Sequence, residues 1–207
     1  MKVLMLNGSP HEKGCTYTAL EQVGQALASQ GVEYEILHMG PAPVRDCIGC
    51  KACVKLGRCA FKDNQVNEFV EKARQADGFV FGSPVYFAHP TGGVLSFLDR
   101  AFYSCKSAFF GKPGAAVVSA RRGGCVSSYD VMNKYFGIAN MPQVGSSYWN
   151  MVHGNVPEEV LQDLEGLQTM HNIGLNMAWL LKSIQAGKEA GVQAPQLETG
   201  HRTNFVR

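Results

Sequence analysis

Four of the seven cysteines in this sequence crowd together as CIGCKACVKLGRC, placing Cys47, Cys50, Cys53 and Cys59 at C-x2-C-x2-C-x5-C spacing. Thiolates are soft donors, so three of them in so tight a run can turn inward around an iron–sulfur cubane. Gly49 eases the loop between the first two, and Cys59 arrives from beyond. The same four can hold zinc, although a tetrahedral ion is more commonly gripped by two separated Cys-x2-Cys knuckles, and they can equally remain free thiols. The spacing departs from the bacterial ferredoxin run, whose fourth Cys follows after three residues and precedes Pro. Cys105 and Cys125 have no motif partners and are expected as small buried apolar residues.

Three further stretches could bind a ligand. The run NGSPHEKGCTYT at 7–18 delivers small and hydroxyl residues to the start of a helix, where unpaired N–H groups and the helix dipole attract an anion such as phosphate. Ser9, Thr16 and Thr18 can donate hydroxyl hydrogen bonds, Gly14 permits close backbone approach, and His11 adds a charge when protonated. The run lacks the Gly-Lys-Ser/Thr of a Walker loop and the three spaced glycines of the dinucleotide fingerprint. It can also be an ordinary strand-to-helix turn capped by Ser9 and Thr16. GSPVYFAHPTGG at 82–93 offers apolar and aromatic walls to a flat ligand. SARRGG at 119–124 supplies Arg121, Arg122 and the flexible N–H groups of Gly123 and Gly124. Near the chain's last third, Trp149 is expected to be packed and His153 to lie at the surface.

Residues 2–6, 33–38, 78–82 and 115–119 read as strands, and 143–148 as a fifth. Between them, helical periodicity runs from about residue 20 to a cap at Gly31, from an Asn64 cap to about 75, over 94–103, and to about 135. A long helix is predicted over 157–190, broken near Gly174. Alternating strands and helices imply right-handed crossovers. The expected fold is therefore α/β, a flavodoxin-like doubly wound five-stranded parallel sheet with helices on both faces. In that architecture ligands bind beyond the carboxyl ends of the strands, where the strand order switches. The loops after the first, third and fourth strands are the ones placed there. Residues 1–190 are expected as one domain and 191–207 as a tail lying over the surface or a neighbouring subunit.

The residues Gly8, Ser9, Pro10, Gly14 and Thr16, together with the Ser-Pro-Val-Tyr run at 83–86, resemble the NADPH-dependent FMN reductase family of flavodoxin-like proteins. Cys15 replaces the Asn often found there. The compact cysteine motif is similar to that of the family's iron–sulfur flavoprotein branch. The resemblance implies FMN, its phosphate held by Ser9 and the Cys15, Thr16, Tyr17 and Thr18 segment. It implies a ring bordered by Pro84, Val85, Tyr86 and Phe87 and by the loop from Ser119 to Gly124. It also implies NAD(P)H as co-substrate, with a [4Fe–4S] cluster on Cys47, Cys50, Cys53 and Cys59 if the branch likeness holds. The activity it implies is transfer of electrons from a nicotinamide to a flavin, quinone, other small acceptor or iron–sulfur centre, the flavin itself carrying the chemistry. A homodimer or homotetramer is implied too. The rival is an electron carrier or redox sensor without small-molecule turnover; a third class is a zinc-bearing structural protein.

Composition narrows the field. The 19 Lys and Arg against 17 Asp and Glu give a formal charge of +2, no field for nucleic acid, and a weaker match to a dedicated flavodoxin, which is typically acidic. With 45% hydrophobic and 17% charged residues, disorder is disfavoured. No apolar run approaches a membrane span, and Met1-Lys2 leads directly into a strand. With an odd cysteine count, thiol chemistry in the reducing cytoplasm is expected rather than a disulfide scaffold. The partners expected are a small-molecule acceptor or a redox protein, with neither nucleic acid nor membrane.

Overall fold

The computed structural model describes residues 1–62, 64–201 and 203. Five parallel strands form its centre: β1 (Lys2–Asn7), β2 (Glu33–His38), β3 (Gly78–Tyr86), β5 (Gly114–Ala120) and β6 (Met151–His153), in the order β2-β1-β3-β5-β6. The two-residue β4 (His89–Pro90) turns back antiparallel on the end of β3. The order is that of the expected doubly wound sheet, with its switch between β1 and β3.

The inner strands β1, β3 and β5 are largely apolar because they are covered on both faces, whereas the edge strand β2 carries Glu33 and Glu35 and is only partly buried. Along β1, Leu4 and Leu6 enter one core and Val3 and Met5 the other; along β3, Phe79 and Phe81 part from Val80 in the same way. The first core is closed by α3 (Asn64–Gln75), α4 (Gly92–Cys105) and α5 (Cys125–Ile138). It is rich in phenylalanine. Phe69, Phe79, Phe81, Phe97, Phe102, Phe109 and Phe136 meet in tilted, edge-on and stacked pairs with centroids 4.1–6.2 Å apart. The second core is aliphatic and lies under α1 (Cys15–Ser29) and α7 (Leu164–Glu189). Cys105 and Cys125 are buried, as expected, and burial pushes the Cys125 thiol up to about 11.

Several expectations need correction. The third strand does not stop at Gly82: Ser83 and Pro84 still pair with β5, and Val85 and Tyr86 continue as one arm of a hairpin, whose turn residues Phe87 and Ala88 take φ of 52° and 58°. The fifth strand is Met151–His153, not 143–148. Side chains knot that earlier segment into a turn: Ser146 Oγ bonds Tyr148 O and Asn150 Oδ1, and Asn150 Nδ2 donates to Val144 O. Among the described residues an isolated bridge, from Gly114 to Gln143, joins it to the sheet. Trp149 is 49% exposed rather than packed, meeting Tyr148 edge-on; His153 is exposed as expected.

The last helical region breaks before Gly174. A short α6 (Pro157–Val160) precedes α7, which Asp163 starts by accepting from Gly166 N–H at 2.9 Å. Helix α7 runs unbroken through Gly174, where a Cβ would lie 2.6 Å from Val23 O of α1. Glycine there lets the two helices touch. The cap expected from the Asn64 side chain lies outside the described residues, as do residues 202 and 204–207 of the expected tail. Among the described residues no helix is long and apolar enough to cross a membrane.

Candidate active site

The loop after β1 is organised from beneath by Asn7, the strand's last residue, which is fully buried. Its Oδ1 accepts from Ser9 N–H at 3.1 Å, and its Nδ2 donates to Glu12 O at 3.0 Å and His11 O at 3.4 Å. This Asx-turn chemistry folds the loop back on itself. Gly8 N–H donates to Gly82 O at 2.9 Å, Thr91 Oγ1 to Gly8 O at 3.1 Å, and His38 Nε2 lies 2.9 Å from Ser9 O. The loop is thus tied to β2, β3 and the start of α4. A Cβ at Gly8 would sit 2.7 Å from Gly82 O, so only glycine lets the two strand ends close up.

Helix α1 then begins with Gly14 at its N-cap and no side chain capping it. The expected Ser9 and Thr16 caps are not formed. Ser9 Oγ accepts from His11 N–H at 3.1 Å, and the Thr16 and Ser119 hydroxyls share a buried bond of 2.8 Å that joins α1 to the end of β5. The N–H groups of the first helical turn are therefore left for another acceptor.

A cleft of about 300 Å³ opens above the ends of β1, β3 and β5, at the lower edge of small-ligand sites. From the first loop come Ser9, His11, Cys15 and Thr16; from the hairpin Pro84, Val85 and Tyr86; from the end of β5 Ser119 and Arg121. Gly154 and Asn155, which sequence reasoning missed, close the far side, with Cys15 Sγ donating to Gly154 O at 3.7 Å. Burial pushes the Cys15 thiol up, helped by Glu158 and Glu159. Gly14 lines a hollow adjoining this cleft.

The remaining predicted residues lie outside the cleft's lining. Thr18 Oγ1 donates to Gly14 O within the helix, while Tyr17 is half-buried, its phenol pushed up by burial and then by Glu21. Phe87 stands fully exposed at the hairpin tip. Arg122 and Gly123 are exposed, and Gly124 starts α5 at φ 92° against Ala88 of the hairpin.

The four motif cysteines come together elsewhere. Cys47, Cys50, Cys53 and Cys59 line one hollow with Phe61, Arg100 and Tyr103. Residues 39–52 form neither helix nor strand; Gly49 and Lys51 take φ of 62° and 57°, and Cys53 opens the short α2 (Cys53–Leu56), ended by Gly57 at φ 64°. The segment is held by side chains. Asn67 of α3 accepts from Cys59 N–H at 2.9 Å and donates to Cys59 O and Phe61 O. From α4, Ser96 Oγ donates to Asp46, Arg100 donates to Arg45 O and to Cys59 Sγ, and Tyr103 O accepts from Cys53 Sγ at 3.7 Å. Burial, with Cys50, Cys47 and Cys59 nearby, pushes the Cys53 thiol up. Among the described residues no group of three or more His, Cys, Asp or Glu side chains is placed to hold a single metal ion.

Asn67 and Arg100 were not legible in the sequence, since neither belongs to a local motif. Asn7 could have been found from a strand-ending Asn before Gly-Ser-Pro. A groove of about 510 Å³, lined by Pro10, Met39, Val44, Asp46, Tyr86 and Ser96, lies between the first loop and the residue before Cys47.

Comparisons with known proteins agree with this fold. An iron-sulfur flavoprotein of Methanocaldococcus jannaschii is 30% identical over 195 residues, covering 89% of this chain and 100% of its own. One of Methanosarcina thermophila is 26% identical over 194 residues, covering 91% and 100%. Among solved structures, RosB with a bound 8-demethyl-8-formylriboflavin-5'-phosphate intermediate has a TM-score of 0.68 at 13% identity, covering 100% of this chain and 92% of its own. An NADH:FMN oxidoreductase has a TM-score of 0.61 at 20% identity, covering 86% and 88%. At such identities the structures speak for the fold. The model of NADPH-dependent FMN reductases matches residues 1–156, the span holding the first loop, the Ser-Pro-Val-Tyr arm and the four cysteines, and the chain belongs to that family.

Proposed function

We propose that this chain is an FMN-dependent NAD(P)H oxidoreductase that passes electrons to a flavin, quinone, other small acceptor or iron–sulfur centre. The observation that carries it is the uncapped start of α1 facing a cleft at the ends of β1, β3 and β5. FMN fits that donor set. The N–H groups of Cys15, Thr16 and Tyr17, the Ser9 hydroxyl and the close backbone at Gly14 suit a phosphate, with His11 at the rim and Thr18 closing the first turn. Pro84, Val85, Tyr86 and Phe87 on one side and Ser119 to Gly124 on the other would border the ring, with Arg121 and Arg122 favouring charge that develops on it. Bound FMN supplies hydride acceptance and release of electrons singly or in pairs. The protein's work is to bind, orient and wall off. No side chain need act as nucleophile or base.

The donor set of the hollow suits a [4Fe–4S] cluster better than zinc. Four free cysteines line one shared hollow, three of them in a crowded run that suits a cubane better than the two separated knuckles of a zinc site. The cluster would relay single electrons. Family membership favours turnover over a carrier without it. Residues 1–190 act as the FMN-binding domain and 191–207 as a tail, in a cytoplasmic homodimer or homotetramer.

An anaerobic absorption spectrum of freshly purified protein, with iron, sulfide and zinc analysis, tests both centres. Flavin bands, about four irons per chain and steady NAD(P)H oxidation with an added acceptor are expected, and Cys50→Ser loses the iron but keeps the flavin. Failure to take up FMN on reconstitution overturns the flavin reading. Flavin without iron leaves an FMN reductase whose cysteines are structural, and stoichiometric zinc replaces the cluster.

A further inference from the structure

Among the described residues Arg100 is the largest fully buried side chain, 1% exposed. It sits in α4 among Phe97, Leu98, Ala101 and Phe102, where helical periodicity alone would place an apolar residue. An ionised guanidinium is costly to take out of water, so its surroundings must repay it through directed partners. Several of its partners lie at the cysteine hollow. Its Nε–H donates to Cys59 Sγ at 3.3 Å, one terminal N–H donates to Arg45 O at 3.3 Å, and its guanidinium lies 4.9 Å from the centre of the Phe61 ring. Arg45 approaches the same ring at 4.7 Å.

We propose that Arg100 is a positioning residue that tunes the redox equilibrium of the cysteine-bound cluster by donating its Nε–H to the Cys59 sulfur. The proposal rests on the cluster reading above. When the cluster takes up one electron its negative charge rises; no bond at Arg100 forms or breaks, and the Nε proton stays in place. A fixed cation and an N–H bond at a ligand sulfur stabilise the more negative form and raise the reduction potential, and hydrogen bonds to the sulfurs are among the levers that set cluster potentials. Burial makes this cation effective. The exposed Lys51 lines the same hollow but is screened by water and salt. Arginine suits the position because a guanidinium never deprotonates and presents its donors in a rigid plane.

The test is an anaerobic redox titration of iron-loaded protein, with the reduced cluster followed by electron paramagnetic resonance and dithionite as reductant. Flavin absorbance serves as a folding control, since Arg100 does not line the flavin cleft. In Arg100→Met the equilibrium at fixed ambient potential should shift tenfold or more toward the oxidised cluster, about 59 mV for one electron. Arg100→Lys, which keeps the charge and loses the directed Nε–H, should shift it less, and Lys51→Gln should act weakly and fade with salt. A second readout needs no variant: wild-type protein grown on isotope-labelled arginine should show magnetic coupling between the guanidinium nitrogen and the reduced cluster. Iron-loaded variants with unchanged potentials, or absence of that coupling, overturn the role of Arg100 and leave the cluster standing. Wild-type protein that takes no iron removes the cluster and the proposal with it.

Discussion

The flavin cleft and the cysteine hollow are built by opposite means. In the cleft the polar atoms that set the geometry are buried: Asn7, Ser9, Thr16 and Ser119 are at most 3% exposed, and each lies at the end of a sheet strand, in the first turn of α1 or, for Ser9, bonded to such a strand end. Around the hollow Cys47 and Cys50 are exposed, the backbone of 39–52 has no ladder of its own, and the segment is fastened by single side chains reaching from α3 and α4. A site made of strand ends inherits the rigidity of the core. A site made of loops gains its order one hydrogen bond at a time, so it can be loosened without unfolding the domain.

That difference predicts a graded set of failures. The largest should come from Gly8→Val. Its Cβ would strike Gly82 O and Val94, forcing apart β1, β3 and α4. We expect a loss of about 3 kcal/mol or more, at the upper end of overpacking, with flavin release, read by urea unfolding followed through flavin fluorescence. Cysteine alkylation rates in the folded fraction should not change. If Gly8→Val kept flavin affinity, the cleft would not depend on the strand ends as argued.

Next is Asn67→Ala, which removes the three bonds to Cys59 and Phe61. A cost of about 1–2 kcal/mol is expected, with faster alkylation of Cys59 and poorer iron retention but unchanged FMN affinity. Equal loss of flavin and iron would show that the two sites are mechanically one.

The smallest effect concerns the seating of α3, the helix that carries Asn67. Glu35 of β2 pairs with Lys2 and with Lys72 of α3 at 2.5 Å each, and these bonds, Lys2 first, hold its carboxyl below the usual carboxylate range. A carboxyl depressed in the folded state contributes stability that is present above its unfolded pKa and lost as pH falls through its folded value. Glu35→Gln should therefore cost less than about 1 kcal/mol near neutral pH. The gap from wild type should close in acid, below the ordinary carboxylate range, and shrink in high salt. A gap that widened in acid would refute the sign.

The sequence alone carried the repeating units: apolar runs covered on both faces can only be central strands, and their alternation with amphipathic helices leaves few topologies other than the doubly wound sheet. It also carried the two candidate chemistries, because an anion-binding turn and a cysteine cluster are local patterns in which spacing sets geometry. Only the tertiary structure decided the rest. The turn at 143–150 defeats a strand pattern through Ser146 and Asn150, the hairpin extends β3 past its glycine, and Gly174 proves a contact point rather than a break. Asn67 and Arg100 reach the cysteines across gaps of 8 and 41 residues. Periodicity reports which face of an element is buried, whereas a buried polar residue acquires its role from whichever distant group folding sets against it.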